Sequence, residues 1–493
     1  MKNVPPLNGG ELMPLMDTGI ALIEFDTPTS YKTSEVEKVL SRVENMVYEQ
    51  PYIEMVSSVI GSEPGQISFG GGGATAQSAK MTIHMVDRKH RKETIWQIED
   101  KWRATLRSIP GVRSFRVSEY GATPLSTTKA PLDIIISGPD SVVVSNLADK
   151  CLEALKGLPG LVDVRRSWYF DKAENDVVVD PALARLYGTS PAQVATQLKT
   201  AVKGIGATAM RLKGFLDIPI LVQYAGKDIH EPQQIKDIYV SSNFGQIPLR
   251  SLASVKTSLD QPFITREKLQ NTIDVTGGNR IYTIAQVAKM AKKRVSKIKP
   301  PEGYTIQVSG TAADMKTGKQ EMGKALMIGL VLLYMLLLAM FKSFRHPVTI
   351  MAAIPLAIAG AMWGLLLFDK PMCKPATMGL ILLGGTIVNN SILLLDFILN
   401  ARKRGIEKNE AIVQSVQLRI RPILMTTVST IVGLTPLIFE MAVGLERMSP
   451  LGIVAASGLL VGTFLTMIVI PVVYSSMDSI SNGIGRTWRL LWV

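Results

Sequence analysis

The hydropathic rhythm of the chain changes at about residue 319. Before that point, period-two alternations and helical stripes follow one another in short runs. After it come five long, nearly unbroken apolar stretches. In the first region a strand–helix–strand unit recurs. Ile20–Phe25 alternates as a half-buried strand does. Val36, Val39, Leu40, Val43 and Val47 then fall on one helical face, opened by Ser34 and Glu37 as a capping box, and Tyr52–Ile60 reads as the returning strand. A second unit runs through Ala79–Val86, Glu93–Ile109 and Val112–Ser118. A third is Leu132–Ile136, Ser141–Leu158 and Leu161–Arg166, and a fourth is Ile273–Thr276, Ile284–Ile298 and Tyr304–Val308.

The units share a seam. Ile109-Pro110-Gly111-Val112, Leu158-Pro159-Gly160-Leu161 and the looser Lys299-Pro300-Pro301-Glu302-Gly303-Tyr304 each end a helix and begin a strand. Proline stops the helix and glycine supplies the permissive backbone of the turn. Recurrence at roughly fifty-residue spacing is an internal repeat, and two such units side by side make a ferredoxin-like βαβ sandwich. The expected fold is therefore α+β in the first region. Residues 1–125 form one subdomain, and 126–176 with 256–318 form a second, split by an insert at 177–255. Within the insert, Val177–Val179 and Ile218–Tyr224 read as strands and Pro191–Val202 as a helix. A module placed between two halves of a subdomain protrudes from it and is a natural subunit contact.

The second region, 319–493, reads as an all-α bundle of five transmembrane helices at Ala325–Phe341, Pro347–Phe368, Ala376–Asn400, Pro422–Phe439 and Pro450–Tyr474. Each approaches the ~20 apolar residues that cross a bilayer. Lys342 and Arg345, then Arg402, Lys403, Arg404, Lys408, Arg419 and Arg421, and finally Arg486 and Arg489 load alternate loops and the C-terminus. The positive-inside rule puts these in the cytoplasm, and so puts the N-terminal region on the outer side, the periplasm of a Gram-negative cell. The opening residues predict neither a signal peptide nor an earlier span. The expectation is that this is the C-terminal portion of a longer or split protein, whose other half supplies membrane insertion.

Composition narrows the classes. The 493 residues are 47% hydrophobic and 19% charged with a net charge of +13, a mixture of soluble and membrane parts. The basic residues beside the spans account for the charge without nucleic acid. Cys151 and Cys373, one in each half, read as free thiols. Gly70–Gly73 lacks the Lys-Ser/Thr ending of a phosphate-binding loop and reads as a plain loop. His84 and His90 have no further ligands clustered beside them, so neither metal site nor cofactor is expected. No nucleophile–base constellation points to an enzyme. The one chemical oddity is in the third apolar stretch, where Asn389 and Asn390 lie near the middle and Asp396 near one end. Polar groups inside a membrane span are a functional hypothesis by default, although an amide can also serve only to bond packed helices together.

Several stretches resemble the RND (resistance–nodulation–division) efflux transporters, inner-membrane permeases, in their C-terminal half. Met13-Pro14-Leu15-Met16-Asp17-Thr18-Gly19 is similar to the start of the family's third porter subdomain. Phe341-Lys342-Ser343-Phe344-Arg345-His346-Pro347, with Ile354-Pro355-Leu356-Ala357, resembles the junction of its eighth and ninth spans. Gly384 to Phe397 resembles its tenth, Arg419 to Thr427 the start of its eleventh, and Pro471-Val472-Val473-Tyr474 the end of its twelfth. The resemblance implies one half of a proton-antiport pump. It also implies a missing N-terminal half, a homotrimer, a periplasmic adaptor, an outer-membrane channel and a docking role for the insert. It assigns Asn389, Asn390, Arg419 and Thr426 to a proton relay, with Asn389 where many drug pumps carry lysine. Asp396 fits a relay or a structural role, with Arg402 nearby. The wording around the tenth span resembles the branch that handles hydrophobic and amphiphilic compounds more than the heavy-metal branch. Heavy-metal-ion efflux and a non-transporting scaffold left by a split gene are the alternatives.

Overall fold

A computed structural model of the chain describes residues 9–61, 75–120, 129–211, 218–222 and 232–490. Gly70–Gly73 and Tyr224 lie outside the described residues. The chain forms two compact units, one of Met1–Ser167 with Phe263–Val493 and one of Trp168–Pro262.

The first subdomain is β1 (Ile20–Asp26), α1 (Thr33–Tyr48), β2 (Ile53–Ile60), β3 (Ser78–Met85), α2 (Ile95–Leu106) and β4 (Ser114–Glu119). Its strands lie in the order β2-β3-β1-β4, all antiparallel, which is the ferredoxin-like sheet expected from paired units. Ala21, Ile23 and Phe25 alternate inward from the central strand. They meet Val39, Val43 and Val47 of α1 and Ile95, Ile98 and Trp102 of α2 in one core. The capping arrangement sits two residues before the expected one. Helix α1 begins at Thr33, and the Glu35 carboxylate accepts from the Lys32 N–H at 2.9 Å.

The second subdomain opens with β5 (Leu132–Gly138), α3 (Ser141–Leu155) and β6 (Leu161–Arg166). The chain then enters the other unit, with β7 (Lys172–Val179), α4 (Pro181–Leu186), α5 (Pro191–Lys203), β8 (Ile205–Met210), β9 (Ile218–Val222), α6 (Pro232–Lys236), β10 (Tyr239–Ser242), β11 (Gly245–Pro248) and β12 (Ala253–Asp260). This unit is wider at both ends than the 177–255 insert drawn from sequence. The reason is that β7 and β12 pair with each other along their full lengths, Lys172 opposite Asp260 and Val179 opposite Ala253. Its own small core gathers Val194, Val240, Leu249 and Leu252.

The second subdomain resumes with β13 (Arg266–Glu267), β14 (Gln270–Asn279), α7 (Ile284–Val295) and β15 (Thr305–Ser309). Strand β5 lies between β14 and β15, and β6 pairs with the other side of β14, so the ferredoxin-like order recurs. Strand β14 outruns the expected Ile273–Thr276 because a bulge at Thr276/Gly278 absorbs two glycines without ending it. The seam glycines Gly111, Gly160 and Gly303 take φ of 93°, 76° and 82°, the left-handed backbone their turns require.

Where the two subdomains meet, the contact is ionic. The Arg103 guanidinium of α2 bonds Asp163 of β6 at 3.0 Å, Asp100 at 2.8 Å and Glu99 at 3.2 Å. Arg280, just past β14, bonds Asp100 at 2.6 Å. Glu99 is fully buried and Glu119 nearly so. Burial, with Glu119 beside it, pushes the Glu99 carboxyl up to about 8 against the pull of Arg103 and Arg280. Burial likewise raises Glu119. In the unfolded chain Glu99 ionises at its ordinary value near 4.5. The folded form therefore holds a proton that the unfolded form releases, and stability falls as pH rises from about 4.5 to about 8. Glu99→Gln keeps an acceptor for Arg103 and cannot ionise. It is expected to raise the melting temperature of the solubilised chain at pH 8 by ~3 °C or more, with little change at pH 5. Equal destabilisation at both pH values would contradict the protonated assignment.

The last region is helical: α8 (Thr311–Phe341), α9 (Arg345–Met351), α10 (Ala353–Leu367), α11 (Lys374–Lys403), α12 (Lys408–Ile438) and α13 (Ser449–Leu490). Five stretches are long and apolar enough to cross a membrane, with α9 and α10 making one between them. The break at Ala352 has a local cause, since Pro355 has no N–H to offer the Met351 carbonyl. The helices outrun the apolar stretches. Helix α8 starts at Thr311, before the 318/319 boundary, and α12 starts at Lys408, with Pro422 and Pro436 inside it. Helix α13 is the hub and packs on α10, α11 and α12. In the most apolar window of each helix, 56% of residues are buried in α13, 11% in α12 and 6% in α8. The outer faces of α8 and α12 are thus left to lipid or to other protein.

Candidate functional site

Helical spacing alone puts Thr386, Asn389, Asn390 and Leu393 on one face of α11, and Arg419, Pro422, Ile423, Thr426, Thr427 and Thr430 on one face of α12. The two faces meet around a cavity of about 170 Å³, closed below by Leu459 of α13. All four residues expected in a relay, Asn389, Asn390, Arg419 and Thr426, line it. Asn390 is buried, while Asn389 and Thr426 are exposed where the cavity opens at the side of the bundle.

The polar groups are unequally satisfied. Thr426 donates to the Ile423 carbonyl at 2.9 Å, Thr430 to that of Thr426 at 2.9 Å and Thr386 to that of Leu383 at 3.0 Å. Thr427 and Thr463 bond across α12 and α13 at 3.2 Å. Arg419 differs. Its guanidinium carbon lies 3.6 Å from the centroid of the Phe397 ring of α11. Its Nε is buried without a hydrogen-bond partner, and among the described residues no carboxylate pairs with it. A cation held over an aromatic face gains a partial partner from the ring, but its hydrogen-bond donors still call for an anion. Pro422, one turn on, lies inside the helix and has no N–H to offer the Leu418 carbonyl.

Asp396 is not part of this arrangement. It is exposed, accepts from the Asn400 amide at 3.1 Å and does not line the cavity. Arg402 pairs instead with Asp478 of α13 at 3.7 Å, where Lys408 also reaches at 3.6 Å. The threonines at 386, 427 and 430 lay outside the sequence expectation. Thr386 stands three and four residues before Asn389 and Asn390, Thr430 four after Thr426, and Thr427 directly follows Thr426.

The profile of the AcrB/AcrD/AcrF family matches residues 6–478. A curated relative from Haemophilus influenzae (strain ATCC 51907 / DSM 11121 / KW20 / Rd), an uncharacterized transporter, is 26% identical over 484 residues, covering 94% of this chain and 45% of that protein. Among solved structures, one crystal form of a heavy metal efflux pump superposes with a TM-score of 0.83 at 21% identity, over 96% of this chain and 49% of the pump. A second form gives 0.81 at 21% identity, over 94% and 47%. At such identity the likeness carries the fold alone, and the chain spans about half the length of the relatives it matches. With a family match across nearly its whole length, two ferredoxin-like subdomains and five spans, the chain belongs to the AcrB/AcrD/AcrF family of RND transporters.

Proposed function

We propose that this chain is the C-terminal half of a proton-driven efflux permease of the inner membrane, its βαβ subdomains periplasmic. A second half completes it, and the whole works as a homotrimer with a periplasmic adaptor and an outer-membrane channel, the 168–262 unit serving as the docking contact. One observation carries this reading: Arg419, Asn389, Asn390 and Thr426 converge on a cavity at the side of the bundle, and Arg419 has no carboxylate of its own there. A carboxylate on the completing half would face them. Ionised, it binds Arg419 and accepts from the amides. Protonated, it loses the charge attraction and lets α12 move. Asn389 can bond a carboxylate but brings no charge, so Arg419 is the compensating cation.

The cargo we propose is a hydrophobic or amphiphilic compound. Among the described residues no three His, Cys, Asp or Glu side chains gather as a metal site. A second reading, heavy-metal efflux, is favoured by the pump whose fold this chain shares. Co-expression with the completing half separates the two. Ethidium export that collapses with a protonophore supports the first, and protection against heavy-metal salts without ethidium export supports the second. If neither occurs, the chain is a non-transporting scaffold.

A further inference from the structure

The two ferredoxin-like subdomains are attached to different parts of the bundle. The second is continuous with α8. Gly310, at φ 81°, joins β15 to the helix, and a side chain there would lie 2.6 Å from the Ala130 carbonyl oxygen. The helix start is thus locked against the strand β5 end, and Ala312 donates to the Pro131 carbonyl at 3.4 Å. Helix α8 is itself little buried in the bundle. Where the second subdomain moves, α8 moves with it.

The first subdomain reaches the bundle elsewhere. After β3 the chain makes a short turn, Arg88–His90. The turn is anchored in its own subdomain, since buried Arg91 pairs with Asp17, whose other oxygen accepts from the Ile95 N–H at 3.1 Å at the start of α2. From this anchor two cations extend to the loop between α12 and α13. Arg88 pairs with Glu446 and also donates to the Glu440 carbonyl, and Lys89 donates to the Met441 carbonyl at 3.1 Å. The receiving loop is stiff. Glu446 is 4% exposed and accepts from the Gly444 N–H at 2.8 Å, the Met441 N–H bonds Pro436 of α12 at 3.0 Å, and Glu440 pairs with Lys370 at 2.5 Å. Arg447 of the same loop feels the charge of Glu119, a member of the ionic junction between the subdomains.

We infer that Arg88 is a positioning residue for transport: with Glu446 it forms the strut that carries movement of α12, the helix bearing Arg419 and Thr426, into the first subdomain. The second subdomain is held by α8 instead. A displacement of α12 relative to α8 therefore works on the junction built from Arg103, Asp163, Arg280 and Asp100. This inference rests on the transport reading, and two measurements keep their failures apart.

In the first, the full chain in nanodiscs is followed by hydrogen–deuterium exchange over residues 95–106 and 161–166, with Arg419→Ala as the perturbation of α12. With Arg88 present, Arg419→Ala is expected to change exchange at the junction by ~threefold or more. With Arg88→Ala, the response is expected to vanish while the melting temperature is kept. An unaltered response overturns the strut, whether or not the chain transports anything. In the second, the complete pump is assayed for ethidium export. Arg88→Ala is expected to lower export on the order of tenfold, and the swapped pair Arg88→Glu with Glu446→Arg to regain at least half of it. Full export by Arg88→Ala, or no recovery in the swapped pair, counts against the strut. A wild-type pump that exports no ethidium overturns the proposed cargo and leaves the exchange measurement to decide Arg88.

Discussion

Arg419→Ala is expected to lower protonophore-sensitive export on the order of a hundredfold while leaving the bundle folded. The size follows from what the side chain lacks. Its Nε is buried and unpartnered, and its contact among the described residues is the Phe397 face at 3.6 Å. In a low-dielectric cavity a charge with so little local compensation acts strongly on any carboxylate brought opposite it. Removing it leaves that carboxylate with two amides and a hydroxyl, which bond but do not neutralise, so its protonation equilibrium moves toward the neutral form. The folding cost is small by the same reasoning, because no ion pair is broken among the described residues. Arg419→Lys keeps the charge but loses the flat stacking surface, and should retain an intermediate rate. Export by Arg419→Ala at the wild-type level would remove Arg419 from the relay. Loss of export together with a collapsed melting temperature would make it structural.

What could be read from sequence, and what could not, divides along physical lines. The βαβ repeat was legible because apolar period and proline–glycine seams are local signals, and Gly111, Gly160 and Gly303 take the backbone those seams require. The five spans were legible from composition. Their true lengths were not, because the first turns of α8 and α12 are polar and Pro422 reads as a helix start in water. Within a packed bundle it sits inside the helix. The limits of the 168–262 unit depend on Lys172 meeting Asp260, a pairing between residues far apart in sequence. The cavity was half legible. Asn389 and Asn390 are neighbours and seven-residue spacing, two helical turns, places Arg419 with Thr426, but the ring of Phe397 under Arg419 is a cross-helix contact with no local signature. Asp396 belongs to the same run of polar residues in an apolar helix, yet six residues beyond Asn390 it lies off the cavity and bonds Asn400, which sequence spacing alone does not separate from the amides.

Gly364→Ala is expected to destabilise the bundle by about 2 kcal/mol, and Gly360→Leu to prevent recovery of folded, monodisperse chain. Helices α10 and α13 approach so closely that a Cβ on Gly364 would lie 2.4 Å from the Ser457 Cβ, and one on Gly360 2.6 Å from the Val461 Cβ. The partner face is equally tight. A Cβ on Gly458 would lie 3.0 Å from the Ala357 carbonyl oxygen and 2.2 Å from Leu383 of α11. These are two small-residue stripes of four-residue spacing, the arrangement that lets membrane helices gain packing where lipid offers no hydrophobic drive. Ser457 cannot yield by rotating, because the clash reaches its Cβ and its hydroxyl already bonds the Ile453 carbonyl at 2.6 Å. The hub must move instead, and α13 also carries Leu459 beneath the cavity and Thr463 against Thr427. The damage therefore reaches Asn390 and Arg419 without touching them. Gly433→Ala on α12 is the control: nothing lies within 4 Å of its added carbon, so it should be neutral or slightly stabilising through helix propensity. Thermal unfolding of purified Gly364→Ala and Gly433→Ala in one detergent checks the ordering, size-exclusion recovery checks Gly360→Leu, and a Gly364→Ala chain as stable as Gly433→Ala would show that the α10–α13 contact is looser than this geometry.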